Sequence, residues 1–125
     1  NDKYIVSVIR ANKADVPVAG VKMILSTRIK GQVVERVESG PGQTLAAGST
    51  SYFGLGVSTV VFEELLNAPE EPGTELEWTV RYRFQDEASG TKRCFVLRAQ
   101  PRRREPVGIA WRALGESHQC AAPVK

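Results

Sequence analysis

The sequence is poor in the residues that carry most enzymatic chemistry. Among 125 residues it holds one histidine, two cysteines and one methionine. The lone histidine, His118, stands near the end of the chain among small and polar residues, a poor place for a rigid general base. Cys94 and His118 have no third group to orient them as a nucleophile pair. Neither Cys94 nor Cys120 has a second cysteine or a histidine at ligand spacing, so no metal site is spelled out. Two cysteines make no disulfide framework. They read either as a core thiol at Cys94 and a tail thiol at Cys120, or as one bridge formed in an oxidising compartment. No run reaches the apolar length of a membrane-spanning helix, and no charged and then apolar leader opens the sequence. Asn1, Asn12 and Asn67 all fail the glycosylation pattern, which leans toward an intracellular or prokaryotic source. A cytoplasmic location is the expectation over a secreted or periplasmic one, although a sequence opening at Asn1 says little about its compartment.

Other catalytic and cofactor signatures are missing as well. Glu63/Glu64 and Glu70/Glu71 are paired carboxylates, but neighbours on a strand point to opposite faces and cannot flank one bond. Gly54-Leu55-Gly56-Val57-Ser58-Thr59 lacks the lysine and the strand-to-helix setting of a phosphate loop and reads as a turn or bulge. No cofactor and no catalysis are expected.

What the sequence does have is alternation. In Glu75–Gln85, Leu76, Trp78, Val80, Tyr82 and Phe84 are apolar while the residues between them are polar, so one face of a strand is buried and the other wet. Turn formers from Gln85 to Gly90 lead to a second strand, Thr91–Arg98. Cys94, Phe95, Val96 and Leu97 make it apolar on both faces, which places it inside a sheet. Earlier, Tyr4–Arg10 and Val18–Ile29 read as strands, and Lys30-Gly31-Gln32 as a tight turn into an antiparallel return over Val33–Val37. Leu45–Phe53 reads as a loop with a short edge strand. Val57–Leu66 is rich in β-branched residues and reads as a strand, with a helical turn as the alternative for Phe62–Leu66. Gln100–Pro106 interrupts order, Val107–Leu114 carries one last alternating strand, and residues 115–125 form a mobile tail.

About seven or eight short strands and no long helix predict an all-β protein. The expected form is an immunoglobulin-like antiparallel β-sandwich over residues 1–114, with a small β-barrel as the alternative. At this length one domain buries its own core.

The formal charge is +3, with acids and bases interspersed. Such a balance argues against nucleic acid as a partner. One local exception is Arg102-Arg103-Arg104, flanked by Pro101 and, after Glu105, Pro106. It is either a solvated loop or a cationic knuckle for an acidic or phosphorylated surface. Trp78 and Trp111 stand on apolar strand faces and read as core, with a sugar-stacking platform as the alternative. Tyr52 and Phe53 lie in a Gly/Ser-rich stretch and are the expected exposed aromatics, suited to a partner's side chain.

Tyr4–Asn12, then Val16–Leu25, and later Leu76–Phe84 with its apolar-x-apolar-x-Tyr-x-apolar run, resemble the immunoglobulin-like appendage, or ear, domains of coat and adaptor complexes in protein transport. That resemblance implies binding of short peptide motifs at a sheet edge or shallow pocket, but carries over no binding residue. The expectation is a non-catalytic protein-recognition module of a larger assembly, with Arg102, Arg103, Arg104, Tyr52 and Phe53 as candidate contacts. The alternative is a secreted or periplasmic ligand-binding sandwich, for carbohydrate among other ligands, with Cys94 bridged to Cys120.

Overall fold

Leu76, Trp78 and Val80 all turn to the buried side of one strand, as their spacing predicts, and are 0%, 5% and 7% exposed. The strand they define is the centre of the larger of two sheets. The computed structural model describes residues 3–40, 42–68, 71–88, 90–104 and 108–119, with only the backbone for residues 7–10. Among them eight strands and one helix follow in order: β1 (Lys3–Ala11), β2 (Val18–Ile29), β3 (Gln32–Glu38), β4 (Gln43–Leu45), β5 (Thr50–Ser58), α1 (Thr59–Asn67), β6 (Glu75–Phe84), β7 (Arg93–Arg103) and β8 (Ile109–Ser117). A six-stranded sheet runs β3-β2-β6-β7-β8, with β4 also paired to β2; β1 and β5 form a two-stranded sheet. All pairings are antiparallel. The fold is the expected all-β sandwich.

The small layer is unusual in containing a helix. Phe62, Leu65 and Leu66 face the core at 1%, 0% and 5% exposure, the i, i+3, i+4 stripe of an amphipathic helix. They meet Val6, Phe53, Leu55 and Val57 from β1 and β5 and Met23, Leu25, Leu76, Trp78 and Phe95 from the large sheet in one cluster. The strand expected over Val57–Leu66 is therefore corrected: it ends at Ser58 and continues as α1. β-Branched Thr59, Val60 and Val61 favour a strand, but a helical stripe covers β7 where the two-stranded sheet runs out.

Two other expectations are corrected. Thr50–Ser58 is a full strand paired along β1 from Lys3–Ser58 to Ala11–Thr50, where Leu45–Phe53 was expected to be a loop with only a short edge strand. β7 continues through Gln100-Pro101-Arg102-Arg103, where order was expected to stop. Beyond Ala99 no residue of β7 pairs with β6, so Pro101 borders a strand on one side only and its missing N–H leaves no ladder bond unmade. The interior position expected for Cys94–Leu97 holds, since β7 lies between β6 and β8.

The turn at Lys30-Gly31 has positive φ at both residues, 52° and 84°, the type I′ geometry that suits a two-residue hairpin. The outward face of the large sheet carries ion pairs beside the apolar Ile24, Cys94 and Val96. There Arg28 pairs with Glu77 at 3.2 Å, Arg98 with Glu75 at 3.5 Å and Lys22 with Glu38 at 3.0 Å.

Candidate functional site

The rim strand β8 is built from Ile109-Ala110-Trp111-Arg112-Ala113-Leu114-Gly115-Glu116-Ser117. It pairs with β7, and among the described residues no strand pairs along its other side. Which of its main-chain groups face that open side follows from two facts. The Arg104 N–H donates to the Gly108 carbonyl at 3.0 Å, and Arg103–Ile109, Arg102–Ala110 and Pro101–Trp111 are the next pairs. Hydrogen-bonded and non-hydrogen-bonded pairs alternate in an antiparallel ladder. Pro101–Trp111 is thus a non-hydrogen-bonded pair, as proline requires, and the N–H and C=O groups of Ile109, Trp111 and Ala113 point outward. Their side chains lie on the inner face of the sheet.

Trp111 is the aromatic of this edge. Its ring lies 5.7 Å from Trp78 in a T-shaped arrangement and 6.5 Å from Phe62, which is 4.7 Å from Tyr4. The indole is anchored on the core yet 46% exposed, and Ile109 beside it is 39% exposed. Core placement thus holds for Trp78 and only half holds for Trp111. The Trp78 indole N–H, beneath it, has no acceptor among the described residues.

The arginines flank this edge and serve α1. Arg102 donates to the Ala68 carbonyl at 2.6 Å and to Gln100 Oε1 at 3.3 Å, setting a cation at the helix C-terminus where the dipole favours one. At the other end of α1 the Ser58 N–H donates to the Glu35 carboxylate at 3.0 Å. Arg103 donates to the Glu63 carboxylate, which also accepts from the Tyr4 hydroxyl. The Tyr4 bond and then the Arg103 bond hold the Glu63 carboxyl below the usual range, and Glu63 holds the Tyr4 phenol above its own. Arg104 is exposed. Two guanidinium groups of the supposed knuckle therefore fasten a helix.

The aromatic pair of the sequence separates. Tyr52 is 67% exposed on the outer face of the small sheet; Phe53 is 4% exposed in the core, so its expected role as an exposed contact is corrected. Tyr52 pairs with Ile9 near the far end of β1, away from the arginines beside α1. The five candidate contacts do not form one site.

That far end holds a cavity of about 190 Å³, lined by Val18, Val21, Leu45, Val80, Phe84 and Phe95, with Lys13, Tyr82 and His118 among its polar groups. His118, expected in a mobile tail, has its ring 5.2 Å from that of Phe95, and the tail expected from residue 115 is corrected by the pairing of Gly115, Glu116 and Ser117 with Arg98, Leu97 and Val96. No spacing signal in the sequence joins Lys13, Tyr82 and His118. Cys94 is buried opposite Arg81 and disulfide-bonded; Cys120 and the rest of the tail lie outside the described residues. No group of three metal-ligating side chains and no helix able to cross a membrane occurs among the described residues.

Comparison with family models, with curated proteins and with solved structures found no match, so the functional reading rests on the site itself.

Proposed function

We propose that this domain is a non-catalytic protein-recognition module that takes up an extended segment of a partner along the open edge of β8. The observation that carries the reading is the outward-facing main chain of Ile109, Trp111 and Ala113 beside a half-exposed indole. Strand addition draws affinity from main-chain hydrogen bonds and selectivity from side-chain pockets. Trp111, half-exposed on the rim, supplies the apolar contact. The resemblance to appendage domains points to the same mode, and Arg104 favours a partner with an acidic residue near the β7–β8 turn.

Selection of displayed random peptides on the domain tests this. Selected peptides should bind the parent and lose at least tenfold in affinity on Ala113→Pro, which removes one outward N–H and leaves the β7 ladder intact. The matched change Val33→Pro beside the β2–β3 turn should leave binding unchanged. Equal binding by the Ala113→Pro domain overturns the proposal.

A second reading, a ligand-binding sandwich of an oxidising compartment, is favoured by the disulfide at Cys94. Thiol alkylation of the unreduced chain followed by mass measurement tests it: a chain lighter by two hydrogens and unalkylated supports a Cys94–Cys120 bridge, and two alkylated thiols refute it.

A further inference from the structure

We infer that the cavity at the end of the sandwich remote from α1 binds a small carboxylate with a compact apolar body, such as a monocyclic aromatic acid. The inference does not rest on strand addition at β8, and the two stand or fall separately.

Shape and lining set the ligand's body. Val18 and Val21 of β2, Leu45 of β4, Val80 and Phe84 of β6 and Phe95 of β7 form apolar walls. The volume of about 190 Å³ compares with about 150 Å³ for an apolar cavity that accepts benzene, which leaves room for one ring and a short substituent.

Polar groups set the ligand's charge. Lys13, Tyr82 and His118 line the cavity, and no carboxylate of the described residues does. Lys13 makes no ion pair among the described residues, and the Tyr82 hydroxyl has no hydrogen-bond partner among them. Lining residues that carry an ammonium, a phenol and an imidazole, set beside apolar walls, match an anionic head on an apolar body.

The wall carrying Lys13 is held in place before any ligand arrives. Asn12, 5% exposed, donates through Nδ2 to the carbonyls of Val16 at 3.0 Å, Leu45 at 3.0 Å and Ala46 at 3.2 Å, while its Oδ1 accepts from the Ala14 N–H at 3.0 Å. This one amide joins the β1–β2 link to β4 and keeps the cavity open, so binding spends little on ordering the protein.

Titration of the folded chain with phenylacetate, followed by amide chemical shifts, tests the inference against 2-phenylethanol and benzylamine as neutral and cationic counterparts. Phenylacetate should shift the amides of Val80, Tyr82 and Phe95 and bind at least tenfold more tightly than either counterpart. Lys13→Glu, an exposed change that leaves the core untouched, should remove that preference. Val80→Phe should block all three compounds; if it does not fold, the Lys13→Glu comparison alone decides. Absence of cavity shifts at 10 mM phenylacetate, on the scale of weak millimolar binding, overturns the inference. So does benzylamine binding as tightly as phenylacetate, or a preference for phenylacetate that survives Lys13→Glu.

Discussion

β3 and β8 bound the same six-stranded sheet, yet only one of them is guarded. β3 carries Glu35, Arg36 and Glu38, whose charges are engaged: Glu35 accepts from the Ser58 N–H, and Glu38 pairs with Lys22 at 3.0 Å and Arg36 at 2.6 Å. Charged side chains and short length are the usual protection of an edge strand against pairing with another chain. β8 is longer, has no proline, and presents Ile109, Trp111 and Ala113 at the positions whose main chain faces outward. Val33 and Val34 of β3 are 47% and 48% exposed, so apolar exposure alone does not separate the rims. β8 has charges of its own in Arg112 and Glu116, so the difference lies in its greater length and in an indole rooted in the core.

Six substitutions sharpen or break that contrast. Trp111→Ala should have the largest effect. A buried aromatic loses about 3–5 kcal/mol on truncation, and a half-exposed one about 2 kcal/mol; Val34→Ala on β3 should lose less than about 0.5 kcal/mol. Chemical denaturation of both variants reads the difference, and equal losses would erase the distinction between the rims. Arg102→Ala comes next. It removes a charge-assisted bond to the Ala68 carbonyl at the end of α1, expected at about 1 kcal/mol because the group is partly exposed, and should leave peptide affinity at β8 within about twofold.

The sequence already announced the large sheet and, of the small layer, only β1, over Tyr4–Arg10. Leu76, Trp78 and Val80 alternate without interruption, and Lys30-Gly31 is a hairpin signal by itself, so β2, β3 and β6 were legible. α1 was legible only as the alternative helical turn over Phe62–Leu66, because Thr59-Val60-Val61 speak for a strand and only the long-range need to cover β7 decides for the Phe62/Leu65/Leu66 stripe. Pro101 misled in the same way: a proline stops an interior strand, and the end of β6 pairing at Ala99 is a tertiary fact. Tyr52 and Phe53 were read as equals because adjacent residues share a composition, though in a strand they must face opposite ways. Trp111 was assigned to the core by its alternation, correctly for one face of the ring, while its position on a rim depends on sheet order. The meeting of Lys13, Tyr82 and His118 depends on three distant segments and has no local signature.

Smaller effects test the guard itself. Ala113→Lys should give β8 the protection of β3 and lower self-association in concentrated solution by light scattering, whereas Arg36→Val should raise it through β3. Opposite trends would show that β8 is not the open rim. The smallest effect belongs to Glu63, beside this edge. Its carboxyl is depressed by Tyr4 and Arg103, so its stabilising contribution is fully present above the usual carboxylate pKa of about 4.3 and is lost as pH falls through the depressed value. The Tm advantage of the parent over Glu63→Ala should hold steady from about pH 5 to neutrality and close below about pH 4.3, by a small amount because the pair is solvent-screened. An advantage that grows on acidification would contradict the cause assigned to Glu63.

Residue-resolved amide hydrogen exchange with and without a saturating selected peptide tests the open edge most directly. Exchange at Trp111 and Ala113 should slow at least tenfold on binding, while Val33 and its neighbours on β3 keep their free rates. Slowing confined to β3, or a bound complex in which the outward amides of β8 exchange as fast as before, would contradict strand addition at this rim.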